Sequence, residues 1–139
     1  MNLILRAWLP KEKRMIQHKE VSIINGEVFE RYCDEDGYIR NVLKQDAILM
    51  VSLGSQDKNE KFIFNGDVVR RNIPFGKSVS IVAIHGGSFK LECAEYLDGE
   101  FHSKGVLPMN TYTEWYEIMG NIYENPVLLM DYPELLEIE

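Results

Sequence analysis

Apolar residues in this chain come in short runs interrupted by turn chemistry, a pattern of many brief strands and few amphipathic helices. Residues 3–8 are β-prone, and Pro10 with Lys11, Glu12, Lys13 and Arg14 breaks the run before Met15 and Ile16, which predicts a hairpin. Residues 21–24, the pair Asn25-Gly26, and Val28-Phe29 predict a second hairpin, because Asn-Gly accepts the positive φ angles of a type I′ turn. Residues 30–47, centred on Asp34-Glu35-Asp36-Gly37, read as a turn flanked by short edge strands. Residues 48–53 form a clearer strand. A polar connection over 54–60 then leads to predicted strands at 61–64 and 67–71 around Asn65-Gly66.

Residues 78–84 and 89–96 flank His85-Gly86-Gly87-Ser88, and Phe89, Leu91 and Cys93 alternate against Lys90 and Glu92, so one face is buried and the other wet. Asp98-Gly99 supplies another turn. In the tail, residues 115–123 are β-prone and end at Glu124-Asn125-Pro126, where asparagine can cap a helix and proline fits its first turn. Pro126-Val127-Leu128-Leu129 and Pro133-Glu134-Leu135-Leu136 lie seven residues apart and predict two helical turns separated by Asp131-Tyr132. The fold class expected is all-β: a small barrel or sandwich of short antiparallel strands, with a short C-terminal helical segment.

The length of 139 residues suits a single domain spanning 1–139, and the charged share of 27% is that of an ordinary globule. The apolar N-terminal run is too short for a membrane span or a tripartite export signal, so cytoplasmic residence without membrane contact is expected. Cys33 and Cys93 lack any metal-type spacing and are expected to be reduced. The net charge of −7 is uneven: residues 1–91 carry 14 Lys/Arg against 11 Asp/Glu, whereas residues 92–139 carry one Lys against 11 acids. That field disfavours nucleic acid unless Lys11, Lys13, Arg14 and Lys19, or Arg70, Arg71 and Lys77, form a local basic face.

Candidate chemistry reduces mostly to geometry. Asp57, Asn59 and Asp67 suggest a calcium loop, but counting from Asp57 places Phe62 sixth and Val68 twelfth, where such a loop needs glycine and a bidentate acid. Aligning on Gly37 fails the same way, with Leu43 twelfth. The expected roles are Asx turns for Asp57 and Asn59 and anchoring of a strand start for Asp67. His85-Gly86-Gly87 is similar to an esterase oxyanion segment, but no Gly-x-Ser-x-Gly nucleophile occurs. Glycine-rich phosphate loops are also missing from the sequence. Cys93 reads as a buried strand thiol, and His18, His85 and His102 stand singly at surface or loop positions. Trp8, Trp115, Tyr116, Tyr123 and Tyr132 could form a recognition surface, though aromatics at strand positions are expected to pack the core. No catalytic, cofactor-binding or metal residue is assigned, and the interaction surface stays unknown.

Three segments occur in a telling order: Arg6-Ala7-Trp8 with a later Met15, then LMVSLGSQDKNEKFIFNGDVVR, then YEIMGNIYENPVLL. Together they resemble the YopX family of bacteriophage and prophage proteins, with GNIYENP the most specific element. Leu9-Pro10, Val51-Ser52-Leu53-Gly54 and Glu60 depart from the family pattern. The resemblance implies an SH3-like barrel portion, assembly into a homo-oligomer and a viral accessory role without a defined activity. The function expected is therefore a non-enzymatic phage accessory protein acting through contacts with itself or with a host or phage protein. The alternatives are a nucleic-acid-related β-barrel module and an acidic decoy of a DNA-binding host protein.

Overall fold

A computed structural model describes residues 3–109 and 113–137. The chain divides into two compact units, residues 1–51 and 52–139. Among the described residues, regular structure is mostly strand, in antiparallel hairpins and meanders, with helical segments only of the 3-10 type.

In the first unit, β1 (Ile4–Leu9) and β2 (Arg14–Ile16) form the predicted hairpin, with Ala7 opposite Ile16 and Trp8 opposite Met15. β6 (Ile48–Ser52) adds to the other side of β1. A second sheet is a meander of β3 (Val21–Ile24), β4 (Glu27–Cys33) and β5 (Ile39–Leu43). The β3–β4 reversal is the expected Asn-Gly corner, with φ of 52° at Asn25 and 79° at Gly26. Ala7, Leu9 and Ile16 form a small buried cluster, against which Val21, Val28 and Ala47 pack.

Arg14, Lys44, Glu12 and Glu30 form one short-range ion network in this unit. Arg14 donates from both terminal nitrogens to the Glu30 carboxylate at 2.6 Å, and again to Glu12 at 2.8 Å. Lys44 donates to Glu12 at 2.7 Å. These bonds hold Glu30 and Glu12 below the ordinary carboxylate range, through Arg14 first for Glu30 and through Lys44 first for Glu12. Of the predicted basic face, Arg14 is thus committed to its own acids.

The second unit is built on a five-stranded sheet in the order β10-β9-β8-β7-β11. β7 (Asp67–Ile73), β8 (Gly76–His85), β9 (Ser88–Leu97) and β10 (Glu100–Pro108) follow one another as hairpins, and β11 (Glu117–Asn121) returns to the free side of β7. Alternation puts consecutive residues on opposite faces. Val68, Val79, Ile81, Ala94 and Tyr96 pack beneath Leu129, Tyr132 and Leu135 on one face. Val69, Val82 and Leu91 pack with Ile63 and Tyr116 on the other. Each fully buried aliphatic side chain of this kind contributes roughly 1.5–3 kcal/mol.

Three sequence expectations change. Among the described residues no sheet closes into a barrel: β10 and β11 end the five-stranded sheet without pairing to each other. Residues 61–64 form no strand, and only an isolated bridge from Gln56 to Phe62 remains. Their backbone is drawn instead into a loop around Asp57. The two expected C-terminal helical turns are present as 3-10 segments, Pro126–Asp131 and Pro133–Glu137, but the expected cap is not formed. Asn125 occupies the cap position but makes no side-chain cap bond, because its Oδ1 already accepts the Asn121 N–H at 3.1 Å.

Candidate interaction site

The polar residues singled out in the sequence are brought together in structural knots. Asp57 is buried to 3% exposure, and its Oδ1 accepts the N–H groups of Asn59 at 2.9 Å and Lys61 at 3.0 Å. Its Oδ2 accepts the N–H of Ile118 at 2.9 Å, so one carboxylate closes an Asx turn and pins β11. Asn59 enters this turn through its N–H, and its side chain lies beside Glu117. Asp67 is fully buried and accepts the Phe64 N–H at 2.8 Å, while its own N–H donates to the Phe64 carbonyl at 3.1 Å. This is the predicted anchoring of a strand start.

Asp34 closes a similar turn, accepting the N–H groups of Asp36 and Tyr38 and an Arg40 Nε–H at 2.7 Å. Those donors, Arg40 first, hold its carboxyl below the usual range. His85 pairs with Glu92 at 2.8 Å beside the Gly86-Gly87 reversal between β8 and β9. His18 Nδ1 accepts the Leu5 N–H at 2.9 Å. Cys93 is buried against the Ser78 hydroxyl at 2.9 Å, Cys33 is exposed, and the two form no disulfide. Among the described residues no three His, Cys, Asp or Glu side chains gather as a metal set requires, and no helix is long and apolar enough to cross a membrane.

The segment Gly120-Asn121-Ile122-Tyr123-Glu124-Asn125-Pro126 folds on itself. Asn121 Oδ1 accepts the N–H groups of Tyr123 at 3.0 Å and Glu124 at 2.8 Å, and its Nδ2 donates to Glu124 at 2.8 Å. Asn125 in turn donates its N–H to the Asn121 carbonyl at 3.0 Å. A side chain at position 120 would fall on the Asn125 amide, which explains the glycine.

A different group of residues forms a surface cleft of about 480 Å³ in the second unit, lined by Lys58, Arg70, Arg71, Glu114, Trp115 and Glu117. The loop carrying Lys58 is stitched to the Trp115 turn: Lys58 N–H donates to the Tyr116 carbonyl at 2.8 Å and Thr113 Oγ1 to the Gln56 carbonyl at 2.8 Å. Arg70 bonds Glu117 across β7 and β11 at 2.9 Å, and Lys58 lies 3.7 Å from the same carboxylate. The Arg70 bond, then the Lys58 charge, lowers the Glu117 pKa. The Arg71 guanidinium stands 5.9 Å from the Trp115 ring centre and 5.8 Å from that of Tyr116. Among the described residues Arg71 has no ion-pair partner.

The sequence named Arg70, Arg71, Trp115 and Tyr116 but in separate groups, and it missed Lys58. Trp115 was expected in the core with Tyr116 and Tyr132; those two are buried, whereas Trp115 is 58% exposed. It sits in a 3-10 turn, Thr113–Trp115, where strand alternation no longer decides which way a side chain points. Lys77 is not part of the cleft, since its Nζ donates to the Tyr132 hydroxyl at 3.0 Å.

The profile of the family described as YopX protein matches residues 5–130. The crystal structure of protein EF1440 from Enterococcus faecalis is similar in fold, with 24% identity, a TM-score of 0.51, and coverage of 93% of this chain and 99% of that chain. A comparison with curated proteins finds no match. The ordered motifs and the match across nearly the whole length agree: this chain belongs to the YopX family.

Proposed function

We propose that this chain is a non-enzymatic phage or prophage accessory protein of the bacterial cytoplasm that works through protein contacts, including contacts with further copies of itself. The matched span reaches across both units and supports treating them as one functional module. The five-stranded meander is, in this reading, the counterpart of the SH3-like portion that the family implies.

One observation carries the proposal: an exposed indole in the cleft lining beside the Arg71 guanidinium, which has no ion-pair partner among the described residues. Trp, Tyr and Arg are the residue types that dominate contact energy at protein interfaces. An exposed tryptophan on a hydrogen-bonded turn forgoes burial in the monomer and recovers it on association. Edge pairing is a poorer route, because β10 carries Lys104, Pro108 and a register shift between Phe101 and Ser103, features that blunt an edge strand. Asp57 and Asp67, the acids weighed for a calcium loop, are engaged by backbone N–H groups, which also supports a reading through contacts.

Light scattering of the wild-type chain at low and high salt tests this reading. A mass above the monomer at low salt, falling as salt rises, is expected for a contact with a charged component. A monomer under both conditions at high protein concentration removes the self-association.

A further inference from the structure

The cleft's electrostatics restrict what can occupy it. Two of its three cations, Lys58 and Arg70, face Glu117, which leaves the Arg71 guanidinium as the unneutralised charge beside the exposed Trp115 face. The fitting partner therefore offers one carboxylate next to apolar side chains. A polyanionic backbone is a worse match, because Glu114 and Glu117 line the same cleft and the chain carries −7 overall.

The chain itself presents such a surface. The 3-10 segment Pro126–Asp131 exposes Val127 at 68% and Met130 at 74%, directly beside exposed Asp131. Among the described residues Asp131 has no ion-pair partner, and residues 126–137 contain no Lys or Arg. Leu129, Tyr132 and Leu135 bury the inner side of this layer in the core, so it cannot swing away to fill its own cleft.

The geometry points to a head-to-tail contact in which the Val127, Met130 and Asp131 surface of one copy docks in the Arg71–Trp115 cleft of the next. Asp131 meets the Arg71 guanidinium, and Met130 and Val127 cover the indole, a combination of charge pairing and apolar burial that neither surface achieves alone. Two different patches are used, so the contact is heterologous. It closes into a ring if the rotation between copies permits, and otherwise it extends as a filament.

This inference rests on the self-association proposed above, and charge exchange between the patches separates the two. Arg71→Glu and Asp131→Lys are changes at partly or fully exposed positions, and circular dichroism is used to check that each variant is folded. Sedimentation velocity of each variant alone is expected to show association weakened more than about tenfold. An equimolar mixture is expected to recover association, because the Arg71→Glu chain keeps an intact apolar-acidic layer and the Asp131→Lys chain an intact cleft. If either folded variant assembles like wild type, or the mixture stays monomeric, this contact is wrong while self-association of the wild type stands. If the wild type is itself monomeric, both readings fall.

Discussion

Ile122 donates its backbone N–H to the Gly66 carbonyl at 3.0 Å, and the neighbouring Asn121 pairs with Asp67 at the end of the β7–β11 ladder. The two most distinctive stretches of the sequence, Asn65-Gly66-Asp67 and the Gly120 to Pro126 box, thus form one junction in the second unit. Their polar side chains hold backbone groups that would otherwise be left unpaired on burial.

The tightest point of that junction is Gly120, where an added Cβ meets the Asn125 amide. Gly120→Ala is expected to destabilise the protein by about 1–3 kcal/mol, in the range for overpacking a close contact. A double-mutant cycle with Asn125→Ala in urea unfolding checks the cause: the cost of Gly120→Ala should shrink when the amide is removed. Equal costs in both backgrounds would place the strain elsewhere.

Asp57 serves three backbone N–H groups from two separate segments. Truncation to alanine strands buried donors and should cost about 3 kcal/mol, whereas Asp57→Asn keeps an acceptor oxygen and should cost less. The urea midpoints of the two variants decide it. A loss of less than about 0.5 kcal/mol for Asp57→Ala would mean that water replaces the carboxylate, since that is the range of neutral surface changes.

The Arg14–Glu30 pair gives a pH signature in the first unit. Glu30 is held below its ordinary 4.5 chiefly by Arg14, so its contribution to stability is present above that value and is lost as pH falls through the lowered one. Arg14→Gln should move the Glu30 carboxyl titration, followed by NMR, up toward 4.5. An unchanged titration would deny the pair any role in solution, as happens for many exposed ion pairs.

Tyr96 shows the opposite sign. Burial first, and then a 2.6 Å hydrogen bond to the Glu134 carboxylate, raise its phenol well above the ordinary 10.0. The stabilisation is complete below that ordinary value and is lost as pH rises through the raised one. Ultraviolet titration should show one tyrosine resisting ionisation in alkali, absent in Tyr96→Phe. Uniform titration of all the tyrosines would contradict the contact.

The strands were legible in the sequence wherever alternation and turn residues agree. Asn25-Gly26, Gly86-Gly87 and Asp98-Gly99 each sit at a hairpin corner, and Asp57 and Asp67 act as the acceptors their spacing suggests. Longer-range competition was not legible. Residues 61–64 have strand composition, yet Asp57 captures the Lys61 N–H for its loop. Asn125 has capping chemistry, yet Asn121 takes its oxygen. The cleft was hidden for a related reason: Lys58, Arg71 and Trp115 come from a loop, a strand and a turn, and no local pattern records that they meet.

Trp115 gives the most direct test that the cleft is a contact surface, since the chain has only two tryptophans and Trp8→Phe leaves it as the sole indole. Its fluorescence should shift to shorter wavelength as protein concentration rises, and return when salt is added. Emission that stays fully solvated from dilute to concentrated protein would contradict the account.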